Sequence, residues 1–182
     1  MLTGTNSKHT KAFNHRIVME TIRLHSPLSR ADIARRTALT PQTVSNIVST
    51  LIEEDLVREA GKRRQGQGAP SITLAINPEG AYSIGLDLDR DHLTGLLVDL
   101  SGTVRQRIHH ELSFPDPEEG IALMVDTVQT LTDREPLSLT DVSGVGVGFP
   151  GPIEIVSEDE GRTSVNPKAF PGWDDVPLIA RL

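Results

Sequence analysis

Apolar and polar positions follow two different periods along this chain, helical in the first part and largely alternating in the second. Phe13, Ile17, Val18, Thr21, Ile22 and Leu24 recur at helical spacing opposite Arg16, Glu20 and Arg23, predicting a helix over residues 14–25 that Pro27 stops. Ser29 followed three residues later by Asp32 has the capping-box pattern, in which each side chain satisfies a backbone N–H left free at a helix start. Leu28 and Ile33 flank that cap as a hydrophobic staple. A short second helix over residues 30–37 follows, and Ala38-Leu39 turns the chain. Thr40-Pro41 opens a third helix, with Thr as cap and Pro at the first helical position, where a missing N–H costs nothing. Val44, Ile47, Val48, Leu51 and Ile52 form its inner stripe, leaving Gln42, Thr43, Ser45, Asn46 and Ser49 outward.

Beyond the third helix the period shortens to two. Residues 56–60 read as a strand, and residues 61–68 as a loop with Lys62, Arg63 and Arg64 at its tip. Ile72, Leu74 and Ile76 alternate as a half-buried return strand, and Asn77-Pro78 closes the unit. Residues 82–89, 92–100 and 104–112 predict three successive strands. A helix over 117–133 turns Ile121, Met124, Val125, Val128 and Leu131 inward, and a Gly-laced strand over 142–149 ends in Pro150-Gly151-Pro152. The order β-β-β-α-β suits the start of an α/β layer fold. The expected domains are therefore 1–78 and 79–182.

Charge sharpens this division. The net of −7 hides two opposite halves: residues 1–78 hold eleven Lys and Arg against six acids, net +5, and residues 79–182 hold seven against nineteen, net −12. Such asymmetry suggests that the first half meets a polyanion. No cysteine is present, which removes disulfides and Cys-ligated zinc from this chain. A polar N-terminus and the absence of a long apolar run make a cytoplasmic address the expectation.

Two capped helices separated by a three-residue turn, then a basic-tipped hairpin, predict a winged helix-turn-helix bound to double-stranded DNA. Gln42 and Asn46 can pair bidentately with adenine edges in the major groove, and Thr43 and Ser45 can reach bases or phosphates. Thr40 caps this reading helix. Arg35 and Arg36 at the end of the second helix, with Arg63 and Arg64 on the wing, are placed for phosphates, which supply most sequence-independent affinity. The competing reading of the same periodicity is a three-helix module that binds protein.

The segment Leu28-Ser29-Arg30-Ala31-Asp32-Ile33-Ala34, continued by Leu39-Thr40-Pro41-Gln42-Thr43-Val44-Ser45, resembles the winged helix of ROK regulators (repressor, open reading frame, kinase). In the second half, Ile84-Gly85-Leu86-Asp87-Leu88-Asp89 resembles the family's first strand, and residues 144–152 its Gly-rich strand and turn. Asn166-Pro167 and Pro171-Gly172-Trp173-Asp174 resemble its Asn-Leu-x-x-Trp segment. The resemblance implies an α+β winged helix-turn-helix followed by a partial α/β actin-like (ribonuclease-H-like) ROK domain. It also implies a sugar effector, with Asn166 at the sugar, and a homo-oligomeric repressor of sugar-metabolism genes acting at a palindromic operator.

The same resemblance leaves a sugar kinase as the alternative. Kinases of the family carry Gly-Gly-Thr after the first strand, where backbone amides approach nucleotide phosphates. Here Asp89-Arg90-Asp91 occupies that place, and two carboxylates repel a triphosphate. Asp87, Asp89, Asp91 and His92 could pass for a metal cluster, but a strand-end turn accounts for them. No nucleophile–base motif stands out, and no enzymatic activity, cofactor or metal is expected. After the wing the family often has Gly-Arg-Pro, whose Arg reaches a minor groove; Gly68-Ala69-Pro70 leaves Arg63 or Arg64 with phosphate contacts only. An actin-like sensor needs two α/β halves, so the expectation is a truncated sensor, a DNA-binding fragment with weakened self-association and no response to sugar, the alternative being a complete miniature that dimerises over its open sheet.

Overall fold

The computed structural model describes residues 7–64, 70–133, 135, 137–150, 152–157, 162–165 and 170–182. The chain divides into two compact units, Met1–Gly80 and Ala81–Leu182. The first extends past the expected boundary because Gly80 packs on the turn after the third helix: a Cβ there would overlap the Asp55 carbonyl oxygen and lie 3.1 Å from Leu56 Cα.

In the first unit, α1 (Ser7–His25) starts a full two turns earlier than its apolar pattern predicts. Its inner face is narrower than that pattern: Val18 and Ile22 are fully buried, whereas Phe13 and Leu24 are 63% and 57% exposed. At about 100° per residue, Phe13 and Leu24 lie well off the arc centred on Val18 and Ile22. A two-residue strand, β1 (Leu28–Ser29), leads directly into α2 (Arg30–Thr37). The capping box is present: the Asp32 N–H donates to Ser29 Oγ (3.2 Å), and the Ser29 N–H donates to Asp32 Oδ2 (3.1 Å). Those bonds hold the Asp32 carboxyl below its ordinary range, led by the Ser29 hydroxyl, which donates to Oδ2 at 2.7 Å. Ala38, in the left-handed region at φ 55°, ends α2.

The third helix, α3 (Pro41–Glu53), buries Val44, Ile47, Val48 and Leu51. β2 (Val57–Arg63) and β3 (Ser71–Ile76) then form the wing, and β1 adds to the far edge of β3, giving the order β1-β3-β2. Here the structure corrects the start of the expected loop at residues 61–68, of which residues 65–68 lie outside the described residues. β2 continues through a bulge at Gly61 (φ 128°), a value open to glycine, so Lys62 pairs with Ile72 and Arg63 with Ser71.

The second unit is built on a four-stranded sheet of order β6-β5-β4-β7, from β4 (Tyr82–Leu88), β5 (His92–Asp99), β6 (Val104–Glu111) and β7 (Val142–Gly148). β4 pairs antiparallel with β5 and parallel with β7, the crossover running through α4 (Pro117–Asp133). Ile84, Leu86, Leu88, Leu93 and Leu97 meet Ile121, Met124 and Leu131 of α4 in one core. Gly95 permits this approach, because a Cβ there would overlap Thr127 Cγ2. A hairpin of β8 (Ile153–Ser157) and β9 (Arg162–Val165), not evident in the sequence, and a short α5 (Leu178–Arg181) follow. Trp173 is fully buried, stacks near Phe149 and Phe170 at centroid distances of 5.2 Å, and donates from Nε1 to the Pro115 carbonyl (3.0 Å). Its ring fits over Gly120, whose Cβ would come within 2.6 Å of Cζ2. The Trp segment is thereby fixed to the start of α4.

Candidate nucleic-acid interface

The polar side of α3 is organised before any ligand arrives. The Thr40 hydroxyl oxygen accepts from the Thr43 N–H (3.2 Å) and lies 2.8 Å from the Thr43 hydroxyl. Gln42 Nε2 donates to Asn46 Oδ1 at 2.9 Å, one helical turn away. Both amide side chains are exposed, Thr43 and Ser45 are half-buried, and Ser49 is exposed. The Gln42–Asn46 bond limits their rotamers while leaving on each amide an unsatisfied donor or acceptor for a base edge. The i, i+4 spacing in the sequence is the signal for it.

The flanking cations take different positions. Arg35 is ion-paired to Asp32, although its side chain is 67% exposed, so one cation is partly committed to the α2 cap. Arg36 is exposed and, among the described residues, has no ion-pair partner. Arg63 sits at the end of β2, Arg64 just beyond it, and both are exposed. These side chains, with α3, provide hydrogen-bonding groups for base edges and cations for phosphates, the two kinds of contact that DNA recognition combines. Asn166 and the Gly68-Ala69 pair lie outside the described residues.

In the second unit the turn between β4 and β5 carries the acids. Asp89 N–H donates to the His92 carbonyl (2.8 Å), and Arg90 N–H to Asp89 Oδ1 (2.6 Å). His92 Nδ1 lies 2.6 Å from Asp91 Oδ1, and Nε2 lies 3.8 Å from Asp87 Oδ2. The Asp91 hydrogen bond, reinforced by the charges of Asp91, Asp87 and Asp89 and opposed by partial desolvation, raises the imidazole above its ordinary value. Ligand atoms of Asp89, Asp91 and His92 lie within 4.8 Å of one another, a donor set able to attract a cation and to repel a phosphate. No described helix is long and apolar enough to cross a membrane.

Comparison with known proteins agrees with both halves. Residues 13–65 match the MarR family, and residues 83–182 match the ROK family. A xylose repressor of Bacillus spizizenii is 35% identical over 144 residues, which are 79% of this chain and 38% of the repressor. The Escherichia coli DNA-binding transcriptional dual regulator NagC is 26% identical over 157 residues, 86% of this chain and 38% of that protein. The chain thus spans about two-fifths of the length of these relatives. The crystal structure of a ROK family transcriptional regulator, a homolog of the E. coli MLC protein, superposes with a TM-score of 0.67 at 22% identity, covering 95% of this chain and 43% of the other, which shows a shared fold. A MarR-type winged helix-turn-helix joined to ROK sequence over more than half the chain makes this protein a member of the ROK family.

Proposed function

We propose that this chain is a sequence-specific DNA-binding regulator, a repressor of sugar-metabolism genes, rather than a sugar kinase. The observation that carries it is the exposed polar face of α3, where Gln42 donates to Asn46, with exposed Arg36 on the helix before it and exposed Arg63 and Arg64 on the wing after it. Thr43 and Ser45 add hydroxyl contacts, Thr40 fixes the start of the helix, and Arg36, Arg63 and Arg64 contact phosphates, joined by Arg35 when it leaves Asp32. The acidic β4–β5 turn supports the regulator over the kinase, since a nucleotide triphosphate would meet Asp89 and Asp91. The setting is the cytoplasm, where bacterial operators lie.

The xylose repressor among the relatives makes xylose the first effector to test, with Asn166 as the sugar contact. The chain acts as a homodimer, because paired half-sites call for a two-fold protein. Selection of genomic fragments by the purified chain, followed by sequencing, tests the proposal. Enrichment of one two-fold sequence is expected; recovery of random fragments, or none, would contradict it.

A further inference from the structure

Beside the reading face, α1 and α3 enclose an open groove of about 610 Å³, walled by Thr10, Lys11, Asn14 and His15 on α1 and by Thr43 and Asn46 on α3. Nothing in the sequence pattern singles out these α1 residues: Thr10 and Lys11 precede the apolar stripe, and Asn14 and His15 are polar positions within its first turn. Three properties define the groove. Among the described residues, no carboxylate lines it. Lys11 and His15 stand one turn apart on the same wall. Thr43 and Asn46 are members of the proposed reading face, so the groove is continuous with that face. On the other side of α1, Arg16 and Glu20 border a separate depression, so the helix segregates its charges: an acid-free side toward α3 and a mixed side away from it.

We infer that this groove grips a phosphodiester of the DNA strand bordering the base pairs read by α3, with Lys11 as the positioning cation and Asn14 and Thr10 as neutral donors. The inference rests on the operator reading above and adds α1 as a second clamp. A helix seated in a major groove lies between two rising backbones, and side chains at its edge meet phosphates. A groove that is cationic, rich in hydroxyl and amide donors and free of acids suits a phosphate there. Contacts of this kind set register and carry no sequence information. Lys11 therefore strengthens every duplex alike, whereas Gln42 and Asn46 discriminate.

The test uses the full chain and compares two single-charge removals on α1. Lys11→Gln should weaken binding to the selected site and to an unrelated duplex by the same factor, and should flatten the slope of log K against log salt by about 1 per bound protomer. Lys11→Arg should restore that slope. Arg16→Gln removes the same charge from the far side of α1 and should leave the slope unchanged. Phosphate-ethylation interference should show one sensitive position with the wild type that is lost with Lys11→Gln. If Lys11→Gln leaves both slope and interference pattern intact, or if Arg16→Gln flattens the slope equally, the α1 clamp is overturned while the α3 reading stands. A wild-type chain that binds no duplex overturns the operator reading and this inference together.

Discussion

At the residue scale, side chains proposed to read are distinct from side chains that hold the fold. Gln42 and Asn46 present amides toward solvent from a helix whose opposite face is fully buried. Replacing either by Ala should cost roughly 1–3 kcal/mol on the selected site and much less on random DNA, as measured by paired titrations. Equal losses on both duplexes would remove α3 from the reading role. Asp32 acts on stability instead. Its carboxyl pKa lies below the ordinary 3.8, so the cap's contribution is fully present above that value and is lost as pH falls through the depressed folded value. Asp32→Ala should cost about 1 kcal/mol at neutral pH and make unfolding less acid-sensitive, read from urea melts across pH. His92 has the opposite sign: its raised pKa means that its contacts with Asp91 favour the fold at low pH and fade as pH rises through the folded value. An NMR titration should place His92 above the ordinary 6.5, and Asp91→Asn should bring it down. An unmoved titration would show that the hydrogen bond to Asp91 is not its cause.

At the scale of elements, the wing and α4 make separate demands. Arg63 belongs to β2 and Arg64 follows it, so a double Ala variant should keep the sheet while weakening all DNA alike and flattening the salt slope by about 2 per bound protomer. In the second unit, Gly120 underlies the only Trp of the chain. Gly120→Ala should therefore destabilise this unit by roughly 1–3 kcal/mol through overpacking, followed by Trp173 fluorescence during denaturation. The elements legible in the sequence are those fixed by local chemistry: Ser29-x-x-Asp32 starts α2, Thr40-Pro41 starts α3, and alternating residues mark β3 and β4. Those not legible depend on distant partners. β1 is two residues long and exists because Leu28 pairs with Leu74, 46 positions later. The early start of α1 lacks any apolar stripe to announce it, and the exposed Phe13 and Leu24 widen the apparent stripe beyond the buried arc. Gly61 mimics a loop onset, yet it is the bulge that lets β2 continue. The proposed reading face of α3 is legible in the sequence as a residue set, whereas its internal Gln42–Asn46 bond and the groove shared with α1 require three dimensions.

At the scale of the whole molecule, opposite charges serve opposite tasks. The half carrying a net +5 holds the helix-turn-helix, and the half carrying −12 holds the ROK sequence. On the proposed operator reading, the acidic second half repels DNA and leaves contact to the first. Dimerisation follows from the proposed two-fold operator, and sedimentation across a concentration series should show reversible self-association; a strict monomer on a two-fold site would contradict it. The apolar residues Val145, Ile155 and Ile179, 44%, 62% and 71% exposed, give the second unit a surface unlike the polar wall of α3. The central claim, that one basic unit grips any duplex and α3 selects among duplexes, comes down to one measurement. It is the affinity of the full chain for the selected site and for a shuffled duplex over a series of salt concentrations. A slope of log K against log salt on the order of −4 to −5 per bound protomer is predicted for both, with the selected site tighter by roughly 10³ or more at physiological salt. Equal affinity for the two duplexes, or affinity indifferent to salt, would contradict it.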